Sequence, residues 1–312
     1  MPAFAFVFPG QGSQTVGMLD AWGDHPAVRQ TLEEASAALG EDLGRLIHEG
    51  PAEALGLTTN TQPVMLAAAL ACYRAWRAEG GAEPAAVAGH SLGEYTALVA
   101  AGALSLADAL PLVRFRAQAM QQAVPVGAGA MAAILGLEAS VVREVCAQVA
   151  ARSGEVVEPA NFNDPKQTVI AGSKAGVDAA CAELKAAGAK RALLLPVSAP
   201  FHSSLMKPAA EALREKLGSV ALHSPRIPVV NNIDVAVQTE PAAIRDALYR
   251  QAFGPVRWVE VTQALKARGL LHLIECGPGT VLAGLVKRVD ADIVSTTINT
   301  PAGLKAAQEL LA

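Results

Sequence analysis

The chain is predicted to be an α/β protein: a parallel sheet covered by helices, carrying a ferredoxin-like β-α-β-β-α-β insert. Three observations predict it. Short apolar runs alternate with longer helical patterns at both ends of the 312-residue sequence, which is the rhythm of strand–helix–strand units. Between 127 and 198 that rhythm becomes strand, helix, strand, strand, helix, strand, in a length that suits one compact insert. Finally, the apolar run ending at Gly89 meets Gly89-His90-Ser91-Leu92-Gly93 and then an alanine-rich helical pattern, which reads as strand, sharp turn and helix. The expected division is a large catalytic part formed by 1–126 and 199–312, and a small part formed by 127–198.

Taken in order, Phe4-Ala5-Phe6-Val7-Phe8 is the first core strand, broken by Pro9-Gly10-Gln11-Gly12-Ser13-Gln14. A strand before a glycine-rich loop suggests dinucleotide binding, but Thr15 stands where the third glycine of that fingerprint belongs. The loop can instead offer a backbone N–H to an oxyanion. Asp24-His25-Pro26 opens a helix that Gly40 stops, and Thr61-Gln62-Pro63 opens another that ends at Gly80-Gly81. After the Ser91 turn come a helix to Ala101 and a helix over 106–122 that contains Arg114 and Arg116. The insert is read as strands at 130–135, 156–161, 167–171 and 191–197, with helices at 139–151 and 175–187. Beyond it follow a helix at 203–217, a strand at 227–230, helices at 242–252 and 256–267, and a strand at 271–275. Cys276-Gly277-Pro278-Gly279 ends that strand and opens a helix to Lys287, after which a strand at 293–298 and a terminal helix close the chain.

Composition narrows the function classes. A net charge of −4 gives no electrostatic reason to expect nucleic acid or an anionic membrane. Cys72, Cys146, Cys181 and Cys276 form no C-x-x-C pair, so reduced thiols in the cytoplasm are expected rather than zinc or a disulfide framework. The first residues lead straight into Phe4–Phe8 without a basic leader, which reads as a core strand rather than a signal peptide. Arg, Glu or Gln interrupt every alanine-rich helix, so no transmembrane span is expected.

The pattern G-x-S-x-G holds Ser91 out at the carboxyl edge of a sheet, where the first N–H groups of the new helix are unpaired. Such a site suits acyl transfer, in which a serine attacks a carbonyl and a negative oxygen needs donors. The same residues also fit an ordinary turn whose serine caps the helix. A base is required, and six histidines are available. His272, within Leu270-Leu271-His272-Leu273-Ile274, reads as a core histidine. His25, His48 and His223 read as surface residues, and His90 points away from its neighbour on a sharp turn. His202 follows the apolar run Leu193-Leu194-Leu195-Pro196-Val197, read as a buried strand, and sits where the insert returns to the main part. That position faces a cleft and makes His202 the best-placed base, although the residues alone do not decide it. Its orienting partner stays open among Asp164, Asp234, an amide and a backbone carbonyl.

Five stretches now carry a resemblance: Phe6-Val7-Phe8-Pro9-Gly10-Gln11-Gly12-Ser13-Gln14, Gly89-His90-Ser91-Leu92-Gly93-Glu94-Tyr95, Gly129-Ala130-Met131-Ala132-Ala133, Ala199-Pro200-Phe201-His202 and Glu275-Cys276-Gly277-Pro278-Gly279. In this order the chain resembles the malonyl-CoA:acyl carrier protein transacylases over essentially its whole length. The resemblance implies an α/β-hydrolase-like core with a ferredoxin-like small subdomain. It implies Ser91 as nucleophile, His202 as base and Gln251 as the residue that orients His202 through a carbonyl. The N–H groups of Gln11 and Leu92 would form the oxyanion hole, and Arg116 would clamp the malonyl carboxylate. Arg114 lies on a different helix face, and the family pattern selects Arg116. Phe201 matches the bulky residue that related enzymes preferring malonyl over methylmalonyl carry beside the base.

The expected activity is ping-pong transfer of malonyl from malonyl-CoA to the phosphopantetheine thiol of acyl carrier protein, for fatty acid biosynthesis, by a monomer without metal or redox cofactor. The acidic carrier protein is expected to dock at Lys190-Arg191 and Lys287-Arg288, pairs that read equally well as solvated surface charge. The other readings are a serine thioesterase or hydrolase, a non-catalytic carrier-binding module, and an acyltransferase serving a polyketide synthase carrier. The starting Met1 and the closing helix favour a free-standing enzyme over an excised synthase domain.

Overall fold

A computed structural model describes residues 2–197 and 199–312. Met1 and Ser198, at which two of the expected boundaries fall, lie outside the described residues. The first apolar run forms β1 (Phe4–Phe8), and every one of its residues is buried. The remaining strands are β2 (Ala86–Gly89), β3 (Gly129–Leu135), β4 (Val157–Asp164), β5 (Gln167–Ser173), β6 (Arg191–Leu194), β7 (Val229–Val230), β8 (His272–Cys276) and β9 (Val294–Ile298). They make two sheets. One has the order β7-β2-β1-β8-β9 and is parallel throughout; the other has the order β4-β5-β3-β6 and is antiparallel.

In the parallel sheet the interior strands are buried on both faces, which is why they read as unbroken apolar runs rather than alternating ones. Phe4, Phe6 and Phe8 pack edge-to-face on Tyr73 and Trp76 of the helix Thr58–Ala78. Ala5 and Val7 face the opposite way, towards Trp258, Leu273 and Leu285. The period of two along β1 thus sorts its side chains between two apolar layers.

The antiparallel sheet has the strand order expected of a ferredoxin-like insert. One face, with Ala132, Ile134 and Ile170, packs on Val142, Cys146, Val177 and Leu184 of the helices Ala139–Ser153 and Lys174–Ala186. The other face turns Met131 and Val169 towards the parallel sheet's loops.

Several expectations are corrected. The run 193–197 is not a buried strand: β6 stops at Leu194 on the sheet edge, with Leu193 47% and Leu194 58% exposed. Pro196 has no N–H to continue the ladder, so the chain leaves the sheet there. The strand read at 227–230 shrinks to Val229–Val230 for the same reason, since Pro228 can only accept, from the Val87 N–H. The helix opened by Pro63 begins earlier, at Thr58, and keeps the proline inside. Its burial on nearly every side outweighs the one lost hydrogen bond. Two short helices, Leu43–Glu49 and Ala52–Gly56, had no counterpart in the sequence reading, because segments of that length show no measurable period. The helix read from 203 is a single 3-10 turn, Ser204–Met206, followed by Lys207–Gly218. All four cysteines are free thiols. Among the described residues no helix is long and apolar enough to cross a membrane, and no group of three or more His, Cys, Asp and Glu is placed to hold a metal.

Candidate active site

β1 and β2 pair in parallel with Phe8 opposite Gly89, and the His90 N–H donates to the Phe8 carbonyl at 3.0 Å. The Gln11 loop and the Ser91 turn therefore leave the sheet side by side. Their crossing is tight. A Cβ on Gly89 would sit 1.9 Å from the Gly93 carbonyl carbon, and one on Gly93 would sit 2.1 Å from the Phe8 oxygen. No side chain fits at either position, which is the physical content of the two glycines in the motif.

Ser91 adopts φ 53, a left-handed conformation that a non-glycine residue holds only when its surroundings enforce it. Asn232 enforces it: its Oδ1 accepts the Ser91 N–H at 2.7 Å while its Nδ2 donates to the Gly89 carbonyl at 2.7 Å. Ser91 Oγ then lies 2.7 Å from His202 Nε2. His202 Nδ1 faces two carbonyls, those of Gln251 at 2.9 Å and Gly254 at 3.1 Å. Carbonyls only accept, so Nδ1 carries the proton and Nε2 is free to receive one from the serine. Burial, helped by the Arg116 charge, pushes the His202 pKa down from its usual value to about 3, which keeps the ring neutral and proton-accepting.

The Gln251 atom that meets His202 is its backbone oxygen. Its side chain does something else: Oε1 accepts from Arg116 Nη2 at 3.1 Å, and Nε2 donates to the Ser91 carbonyl at 3.0 Å. Arg116 is only 2% exposed. It donates from Nη1 to Gln62 Oε1 at 2.9 Å and from Nη2 to Ser91 Oγ at 3.3 Å, and its guanidinium lies over the Tyr95 ring. Among the described residues no carboxylate forms an ion pair with it. A buried guanidinium without an ion-pair partner is costly unless a ligand supplies the missing anion. Arg114 points away and pairs with Glu41.

These groups open into a cavity of about 560 Å³ between the two sheets. Gln11, Leu92, Phe201, Met131 and Val169 line it, together with the polar side chains of Gln62, His90, Asn161 and Asn163. The backbone N–H groups of Gln11 and Leu92 make no hydrogen bond among the described residues.

The rest of the sequence-predicted set is placed as follows. His90 donates from Nε2 to Asn163 Oδ1 at 2.9 Å and makes no hydrogen bond to Ser91 Oγ. His25 pairs with Glu79, His48 with Asp20, and His223 is exposed. His272, expected in the core, is only half-buried at the start of β8. Asp164 pairs with Arg288 and Asp234 with Arg250, so neither carboxylate orients His202. Lys190, Arg191 and Lys287 are exposed, while Arg288 is held by Asp164. Gln62, Asn232 and Glu94 were not singled out as site residues. Asn232 had one signal to offer, its place just past a strand at the carboxyl edge of the parallel sheet, where such sites gather.

The acyl transferase domain family matches residues 5–299. The chain belongs to the acyl transferase family. This acyl transferase is 53% identical over 311 residues to the malonyl CoA-acyl carrier protein transacylase of Escherichia coli K12, covering 99% of this chain and 100% of that one. It is 45% identical to the Bacillus subtilis protein of the same name, covering 100% and 98%. Among solved structures it is similar to an acyl-carrier-protein S-malonyltransferase from Burkholderia pseudomallei, with a TM-score of 0.97 and 65% identity over 98% of this chain and 99% of that one. A second, with a TM-score of 0.96 and 48% identity over 99% of both chains, is a malonyl-transacylase in complex with a type II polyketide synthase acyl carrier protein. For an acyl transferase the geometry is apt: a serine hydroxyl against a neutral imidazole nitrogen, two backbone N–H groups without a partner among the described residues, and a buried arginine without a carboxylate.

Proposed function

We propose that this acyl transferase moves malonyl from malonyl-CoA to the phosphopantetheine thiol of acyl carrier protein through a malonyl-Ser91 intermediate, supplying extender units for fatty acid biosynthesis. The observation that carries the choice of acyl group is Arg116, a buried cation without a carboxylate partner that lies 3.3 Å from the nucleophile. A planar guanidinium makes two parallel hydrogen bonds to a carboxylate, and an acetyl group leaves it unpaired.

In the first half-reaction Ser91 Oγ attacks the thioester carbonyl while its proton passes to His202 Nε2. The Gln11 and Leu92 N–H groups receive the negative oxygen, and each such donor contributes roughly two to three orders of magnitude in rate. Collapse breaks the carbon–sulfur bond, and the coenzyme A sulfur leaves with the proton from His202. In the second half the carrier thiol gives its proton to the same nitrogen and attacks the ester carbonyl; the bond to Ser91 Oγ breaks, and His202 returns the proton to that oxygen. Phe201, at the cavity wall beside the base, restricts substituents on the malonyl α-carbon.

The large part (1–126 and 199–312) supplies the nucleophile, base and clamp, and the small part (127–198) closes the cavity as a ferredoxin-like subdomain. The protein works as a cytoplasmic monomer and needs no cofactor. Carrier protein docks on exposed Lys190 and Arg191 with Lys287. Arg288 is tied to Asp164 and contributes less. Charge reversal of Lys190, Arg191 and Lys287 together is expected to weaken carrier binding and flatten its salt dependence without changing Ser91 acylation by malonyl-CoA. Titrations at two ionic strengths that match the unaltered protein would move docking elsewhere.

The test of the reading is intact mass after mixing with malonyl-CoA, followed by peptide mapping. A malonyl adduct on Ser91 that holo acyl carrier protein discharges is the expected result. An adduct that water removes before the carrier accepts it would make the protein a thioesterase.

A further inference from the structure

Glu94 is a buried carboxylate that no step above uses. It lies in the first turn of the helix Gly93–Ala100, is 2% exposed, and forms no ion pair among the described residues. Such a group is destabilising unless its hydrogen bonds serve something. Its Oε2 accepts two of them, from the Asn232 N–H at 2.8 Å and from Gln251 Nε2 at 3.1 Å.

Each donor leads to the reacting centre. Asn232 is the residue that grips Ser91 at its N–H and Gly89 at its carbonyl. Gln251 reaches Arg116 through Oε1. The direction of the second arm is the informative point. The Glu94 oxygen and the Ser91 carbonyl both accept from Nε2, so together they turn the amide nitrogen towards themselves and its oxygen towards the guanidinium. Reversed, the amide would set an N–H₂ group against the Arg116 N–H groups, and the arginine would lose the acceptor that holds it beside Ser91.

We propose that Glu94 is a positioning residue for carboxylate recognition, fixing the Gln251 amide so that Arg116 stays where the malonyl carboxylate binds, while Asn232 ties the same carboxylate to the Ser91 turn. The proposal rests on the malonyl-transfer reading. Burial pushes the Glu94 carboxyl up to about 7, with the Asn232 and Gln251 hydrogen bonds opposing it. Protonation at Oε1 still leaves Oε2 an acceptor, so the role is one of hydrogen-bond polarity rather than charge. A glutamine at 94 keeps such an acceptor; a methionine of similar size does not.

The experiment measures Ser91 acylation rates by intact mass with malonyl-CoA and with acetyl-CoA, in the unaltered protein, Glu94→Met and Glu94→Gln. Glu94→Met is expected to lower the malonyl rate about tenfold more than the acetyl rate, the equivalent of one lost hydrogen bond to a charged group. Glu94→Gln is expected to restore the malonyl-to-acetyl ratio. A loss of folded protein lowers both rates equally and leaves the ratio alone; Glu94→Leu serves if Glu94→Met does not fold. An unchanged ratio in the apolar variant, or a ratio in Glu94→Gln as skewed as in Glu94→Met, overturns the proposal. An unaltered protein that malonyl-CoA does not acylate overturns the functional reading instead.

Discussion

Replacing Ser91 with alanine is expected to reduce malonyl transfer by roughly a million-fold, and adding His202→Asn to that variant is expected to cost nothing more. The two residues act as one unit. His202 Nε2 is 2.7 Å from Ser91 Oγ, and its other nitrogen is saturated by two carbonyls, so the base has no task once the hydroxyl is gone. Asparagine is the substitution of choice because His202 sits at φ 61, which asparagine tolerates better than alanine. Single-turnover transfer from malonyl-CoA to holo carrier protein gives the measurement. A double variant markedly slower than Ser91→Ala would show that His202 has a second role in the site.

Arg116→Ala is expected to slow Ser91 acylation by malonyl-CoA by about two to four orders of magnitude, the worth of two hydrogen bonds between charged groups in a dry site. Acetyl-CoA, which has no carboxylate for the guanidinium to pair, should lose far less. Equal losses with both donors would remove the carboxylate role. The same variant carries a pH signature. His202 accepts a proton only when neutral, so its rate falls as pH drops through its pKa, which burial and the Arg116 charge hold near 3. Removing the cation raises that pKa, and the acid limb of acetyl-CoA acylation should move to higher pH. A limb that stays in place would mean that burial alone sets the histidine.

Most of the fold was legible where burial writes a simple pattern. β1 and the helix Leu106–Gln122 match their sequence readings in extent, because one is apolar throughout and the other is periodic from a capping Ser105 onward. Short or proline-interrupted pieces were not. β6 ends just before a proline and β7 begins just after one, and composition alone does not say that Leu193 and Leu194 lie on a sheet edge. In the site, the two glycines single out Ser91 in the sequence, whereas the residues alone left His202 one candidate among six histidines and the resemblance pointed to it. The residues alone left the partner of His202 open, since a backbone carbonyl has no sequence signature; the resemblance pointed to Gln251, and it is the Gln251 main-chain oxygen that meets Nδ1, joined by that of Gly254. Asn232 and Glu94 escaped for a related reason. Their hydrogen bonds join segments more than a hundred residues apart, and only the folded chain brings them together.

The parallel register of β1 and β2 has one more consequence. Because Phe8 lies opposite Gly89, main-chain pairing sets the Gln11 loop and the Ser91 turn side by side, and the Gln11 hydrogen bond to Thr58 and the core packing of Leu92 hold the two segments there. In the proposed mechanism, charge stabilisation therefore uses main-chain N–H groups, which no side chain supplies directly. Acyl-group preference depends instead on side chains such as Arg116 and Phe201, carried by other segments. The two properties can drift or be redesigned separately, and a variant library over the cavity wall can search new extender units on an unaltered catalytic backbone.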